Sequence, residues 1–201
     1  TTPLSGQSNT VEESWSQQQK ISSPKGISSH RFCLSASIDG DSAIIGAIGD
    51  NDGGSNAGAA YIFKRNGTSW SQEAKLTASD AQADDQFGHS VSLSGNSVVV
   101  GSIYEDTGGS NVGAAYIFER SGEDWTEVKK ITASDGQAND YYGRSVAIDG
   151  TNVIIGSTGE DTKGSDAGAA YMFEKVPVVV PTLNFDGYNK LSISGIDTDL
   201  R

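Results

Sequence analysis

The chain has little of what ties small folds together covalently or through metal. A single cysteine, Cys33, in 201 residues cannot close an intramolecular disulfide. The two histidines, His30 and His89, have no Cys or Asp at ligand-like spacing, so they offer no structural zinc site and are expected on the surface. Basic charge is short as well: 14 Lys and Arg face 26 Asp and Glu, a formal net charge of -12. That balance repels nucleic acid and anionic lipid, so neither nucleic-acid binding nor membrane insertion is expected. Apolar runs stop at about five residues, as across Val176 to Val180, far short of the roughly 20 that span a bilayer. Nucleophile elbow, phosphate-binding glycine loop and helical metalloprotease motif are all missing, so no enzyme is expected. The chain begins at Thr1 without an initiator Met or an apolar signal core, as expected of a processed mature chain or a fragment.

Against these absences stands a repeat. Gly58-Ala59-Ala60-Tyr61-Ile62-Phe63 returns as Gly113 to Phe118 and as Gly168 to Phe173, with only Met172 differing, at a spacing of 55 both times. The same interval links Trp15, Trp70 and Trp125; Phe32, Phe87 and Tyr142; and Ile44-Ile45-Gly46, Val99-Val100-Gly101 and Ile154-Ile155-Gly156. Each unit reads as four short strands, in the middle copy roughly Ser90 to Leu93, Ser97 to Gly101, Ala114 to Glu119 and Trp125 to Ile131. Ser94-Gly95-Asn96 and its counterparts Asp39-Gly40-Asp41 and Asp149-Gly150-Thr151 are tight-hairpin sequences. Strands such as Val98-Val99-Val100 are apolar at consecutive positions, so both faces of the sheet require burial. Small sheets packed face to face around an axis meet that demand, as propeller blades do. The mostly polar Trp70 to Leu76 suits the outer edge of a blade.

Phe87-Gly88, Val100-Gly101-Ser102 and Gly113-Ala114-Ala115 resemble FG-GAP repeats, known from integrin α-subunit propellers and many secreted bacterial proteins. The third copy carries Tyr142-Gly143, whereas the first departs with Phe32-Cys33. The resemblance covers about residues 15 to 175. It implies an all-β fold of three 55-residue propeller-like blades, an extracellular or cell-surface location, and binding or structural roles more than chemistry. Integrin members hold calcium in an Asp-rich loop between the FG and GAP segments. Here only the short hairpins stand there, as in the bacterial short-hairpin branch, so no cofactor is expected to be required.

Oxygen-bearing side chains do crowd the loops after the second strand: Asp50, Asp52 and Asn56; Glu105, Asp106 and Asn111; Glu160, Asp161 and Asp166. Ca2+ takes six to eight oxygens, which makes these loops candidate calcium ligands. The same residue types are the ordinary furniture of exposed turns, and both readings stand at this point. Asp80 with Asp85, and Asp135 with Asp140, precede the FG motif in two copies, where the first has Lys25 and His30. Repetition in successive units points to loop fastening rather than to a catalytic carboxylate pair. Twelve of the sixteen Trp, Tyr and Phe residues fall at four repeat positions, the regularity of a repeated core.

Counting strands leaves one spare and one missing. Trp15 to Ile21 matches the outer strands Trp70 to Leu76 and Trp125 to Ile131 but precedes any unit it could complete, and no such strand follows the third unit after Lys175. The segmentation is therefore an extension over 1–14, three repeats over 15–69, 70–124 and 125–175, and a tail over 176–201. That tail is a Pro-punctuated connector followed by a β-hairpin turning at Asp186-Gly187. The spare strand and the tail predict self-association through Trp15, Ile21, Val178, Val180, Leu183 and Phe185, in which copies donate terminal strands to one another. The product is a closed ring or an extracellular filament. The alternative is a monomeric module of a larger adhesin, with surface glycans or proteins as partners.

Overall fold

The computed structural model describes residues 14–26 and 29–177, together with the backbone of two further strands, Thr182–Phe185 and Leu191–Ser194. The first blade contains β1 (Phe32–Asp39), β2 (Ser42–Ala47), β3 (Ala59–Asn66) and β4 (Ser69–Leu76), hydrogen-bonded in that order as an antiparallel sheet. The second repeats it with β5 (Phe87–Ser94), β6 (Ser97–Ser102), β7 (Ala114–Ser121) and β8 (Asp124–Ile131). The third has β9 (Tyr142–Asp149), β10 (Asn152–Ser157) and β11 (Ala169–Glu174), and among the described residues no fourth strand lies beside β11. Among the described residues, β12 (Thr182–Phe185) and β13 (Leu191–Ser194) pair with each other alone; the turn expected at Asp186-Gly187 lies outside the described residues. The two Trp-led strands take the same register, Arg65 opposite Trp70 and Arg120 opposite Trp125. The first strand of each blade starts earlier than the hydrophobic pattern implies, because a register shift after Phe87 lets the FG segment join the ladder.

Consecutive apolar residues on these strands face opposite ways, and each face finds a neighbouring blade. Ile44, Ala60 and Ile62 on the forward face of the first blade pack with Val91, Leu93, Val98, Tyr116 and Phe118 on the rear face of the second. Val99 and Ala115 on the forward face of the second, with Ile117, meet Val153, Ile155, Tyr171 and Phe173 of the third. Backbone stitches complete each contact. Phe87 N donates to Ala57 O at 2.8 Å, and Tyr142 N to Val112 O at 2.8 Å.

Both outer faces of the stack lack such a cover. On the forward face of the third blade, Met172 is 72% exposed where its counterpart Ile62 is 0%, and Ile154 and Ala170 are exposed too. At the other end Ile38 is 66% exposed against 5% for its counterpart Leu93. An apolar side chain gains roughly 1.5–3 kcal/mol on burial, so the forward face of the third blade forgoes more than one such term, while the rear face of the first keeps Ile45, Tyr61 and Phe63 buried beside Ile21 and Trp70.

Glycine sets how closely two blades approach. A Cβ on Gly101 would collide with the carbonyl oxygen of Gly143 in the next blade, whereas on Gly156, which has no following blade, it meets the rotatable Ser145 hydroxyl first. Gly88 and Gly143 take φ values of 89° and 87°, and the first blade forces Cys33 into the same region at 69°. Gly101→Ala is expected to cost roughly 3 kcal/mol or more and Gly156→Ala under about 1 kcal/mol, read by urea unfolding. Equal costs would contradict this account of the blade contact.

Candidate functional site

Each blade buries one carboxylate at the end of its second strand, and the surrounding residues exist to hold it. In the first blade this is Asp50, fully buried. Its Oδ1 accepts from Lys75 Nζ at 2.8 Å and from Asp52 N at 3.0 Å, while its Oδ2 accepts from Tyr61 OH at 2.7 Å and His30 Nε2 at 2.9 Å. Lys25 and Lys75 both pair with Asp52. Burial opposes the charge on Asp50, but donation from Lys75, Tyr61 and His30 outweighs it and holds the carboxyl well below its usual range.

The second blade keeps the arrangement with altered chemistry. Glu105, also buried, accepts from Lys130 Nζ at 2.8 Å and from Thr107 N at 3.0 Å. Lys130 reaches Asp80 at 2.6 Å as well, and Tyr116 OH donates to Asp80 at 2.8 Å. Asp85 stands at the repeat position of His30, so the second blade has a second acid where the first has a donor. Burial pushes the Asp85 carboxyl up to about 6, helped by repulsion from Glu105, Asp80 and Asp106 although Gln82 N donates to it. Oε2 of Glu105 is buried without a hydrogen-bond partner.

The third blade has the carboxylate but not the lysine. Glu160 is buried and accepts from Thr162 N at 2.8 Å, and Tyr171 OH donates to Asp135 at 2.8 Å. Lys75 and Lys130 both sit on the fourth strand of their blades, the strand the third sheet lacks. Among the described residues, Glu160 and Asp135 carry no ion pair.

The remaining candidate loop residues, joined by Asn51, hold turns and blade boundaries. Asn51, Asp106 and Asp161 cap their own turns, accepting from the N–H groups of Asn56, Asn111 and Asp166 at 2.8, 2.6 and 2.6 Å. Asn56 and Asn111 adopt positive φ, 52° and 56°, and donate across the blade boundary to Asp84 and Asn139 at 2.9 Å each. These loops latch successive blades. Among the described residues, no group of three or more His, Cys, Asp or Glu side chains gathers as metal ligands.

Of the residues expected in self-association, Trp15 is fully exposed, and Ile21 packs on the rear-face cluster of the first blade beside Phe32 and Trp70. The amide of Gln19 clasps the backbone of Trp70, accepting from its N at 2.8 Å and donating to its O at 3.1 Å. Leu183 and Phe185 belong to β12, opposite Ile193 and Leu191; Val178 and Val180 lie outside the described residues. His30 corrects its expected surface position: it is 2% exposed, between Asp50 and Ser23 Oγ, because the buried carboxylate needs a donor there. Its register with Asp85 was the available signal. The recurrence of Lys20, Lys75 and Lys130 at 55-residue intervals was another.

The FG-GAP repeat family model matches residues 15–63, 70–118 and 125–173. Its unit opens on the Trp-led strand and ends on the third strand of the following blade, one strand out of phase with the sheets. No curated protein matches the chain.

Two outcomes follow from these groups. Asp85 has a folded-state pKa of about 6 against an ordinary 3.8, so the folded chain binds the proton more tightly. Stability contributed by this group therefore falls as pH rises from about 4 to 6 and then levels. Asp85→Asn is expected to flatten that window and to stabilise the chain at pH 7 by roughly 1–3 kcal/mol, measured by thermal unfolding across pH. Chelation is expected to leave the melting temperature unchanged, since Asp50 and Glu105 are each already paired with a lysine. A fall of more than about 10 °C, well over 1 kcal/mol, would return the loops to calcium.

Proposed function

The chain belongs to the FG-GAP repeat family, and from that footing we propose that it is an extracellular, non-catalytic structural or adhesive module that associates with copies of itself. Family membership supports an adhesion-type repeat module, and the buried carboxylates support the absence of catalysis. Asp50, Glu105 and Glu160 are buried inside the blades, where each accepts hydrogen bonds from donors of the chain itself. Among the described residues, no helix is long and apolar enough to cross a membrane.

The observation that carries self-association is the third blade. Among the described residues, β11 has a sheet neighbour on one side only, and the face formed by Ile154, Ala170 and Met172 is exposed. An open β-edge beside an uncovered apolar face is a template for strand addition. Rotation between successive copies then decides between a ring and a filament.

Sedimentation of the chain over a range of concentrations tests this. Species well above 21.0 kDa are expected, and placing charge on the open face with Ile154→Asp and Met172→Asp should weaken association about tenfold or more. A chain that stays at the monomer mass at every concentration would favour the monomeric carbohydrate- or protein-binding module instead.

A further inference from the structure

We infer that the fourth strand of the third blade is supplied by residues Trp15–Ile21 of a second copy, with Trp15 seated between the second and third blades and Lys20 closing onto Asp135 and Glu160. This rests on the self-association proposed above and assigns its donor, its acceptor and its register.

Register comes first. β4 lies on β3 with Leu76 opposite Ala60, Lys75 opposite Tyr61 and Trp70 opposite Arg65, and β8 lies on β7 with Ile131, Lys130 and Trp125 at the matching places. The same pairing on the free edge of β11 sets Ile21 opposite Ala170, Lys20 opposite Tyr171 and Trp15 opposite Lys175. These three donor residues are of the same chemical kind as their counterparts. In the isolated chain, residues 14–20 are exposed and join no sheet.

Charge is the second line. Lys75 and Lys130 each neutralise a buried carboxylate from the fourth strand, at 2.8 Å in both blades. Among the described residues, Glu160 and Asp135 have no cation in the third blade, and Lys20 is the residue the register delivers to them. Supplying a counterion to a buried carboxylate offsets its desolvation, which makes this pair a source of affinity and of register.

Volume is the third. Between the first and second blades Trp125 packs on the cluster of Ile62, Leu76, Leu93, Val98 and Phe118. The equivalent place between the second and third blades holds no indole and opens as a cavity of about 350 Å³, lined by Ile117, Ile131, Ile148, Val153, Phe173 and Lys175 among others. Trp70 and Trp125 each pack on an apolar cluster, whereas Trp15 is fully exposed.

The donor is also held ready. Ile21 sits on the rear face of its own first blade, as Leu76 sits on the rear face of the second, and Gln19 fixes the same segment to Trp70. Residues 15–20 thus project where the outer strand of a preceding blade runs. Cys33 limits the fit of the blade faces, since it stands where Gly88 and Gly143 admit the preceding backbone. Cys33→Gly is therefore expected to tighten association.

Sedimentation of the parent chain and of Trp15→Ser and Lys20→Glu tests the inference. Both side chains are exposed in the monomer, so thermal unfolding of the monomer should be unchanged while association weakens at least tenfold, about 1.4 kcal/mol. In a Cys33→Ser background, a Ser16→Cys chain mixed with a Glu174→Cys chain should form a disulfide-linked heterodimer, because the register of Ser71 on Lys64 and of Thr126 on Glu119 sets Ser16 opposite Glu174. If the parent associates and both variants associate as tightly, strand donation is wrong while self-association stands. If Trp15 fluorescence reports burial with no gain in mass, the strand closes within one chain and the inference falls. If the parent never exceeds 21.0 kDa and Trp15 stays exposed, self-association itself is overturned and donation with it.

Discussion

Every blade is a sheet too small to bury one face alone and too apolar to leave either face wet. Side chains alternate across a strand, so a run such as Val98-Val99-Val100 sends Val98 and Val100 to the rear cluster and Val99 to the forward one. Each sheet consequently needs two neighbours. Three sheets in a row satisfy that need at two internal contacts and leave it unmet at both ends, where Ile38 and Met172 face solvent. The rest of the molecule follows from this arithmetic of faces: glycines at the contacts, latching loops and polar outer strands.

Superimposed on the apolar contacts is a polar one that is harder to satisfy. A carboxylate removed from water is costly unless donors replace the lost hydration. The first blade surrounds Asp50 with Lys75, His30 and Tyr61, and the second gives Glu105 one lysine and crowds it with Asp85. Lys75 and Lys130 come from the fourth strand, so they tie an edge of the sheet to its interior. A blade that lacks that strand loses an edge partner and a counterion together.

Much of this was legible in the residues. The 55-residue interval identified the strands, their order and the missing fourth member, because the pattern recurs without insertion and each copy checks the others. Turn chemistry placed the hairpins, and the Asp, Asn and Gly residues marked the loops. Burial of His30 was not legible from its own surroundings, since a histidine between Ser29 and Arg31 reads as exposed. It became explicable only when its register with Asp85 was set beside the buried Asp50. Nor could the sequence say that Asn56 and Asn111 bridge blades, because that depends on left-handed turns whose partners, Asp84 and Asn139, lie 28 residues on.

The stitches between neighbours have an evolutionary corollary. Since the stitches from the first blade to the second recur one period later from the second to the third, as Asn56 with Asp84 and Asn111 with Asn139 do, tandem duplication of residues 70–124 would insert a blade whose two flanks already match what they meet. Copy number can drift under selection without any new complementarity being invented. Duplication at the amino-terminal end is a different matter, because the added unit would abut Cys33, whose side chain occupies the space that Gly88 and Gly143 leave vacant. Growth of such an array is therefore polar, permitted in its interior and penalised at its first member.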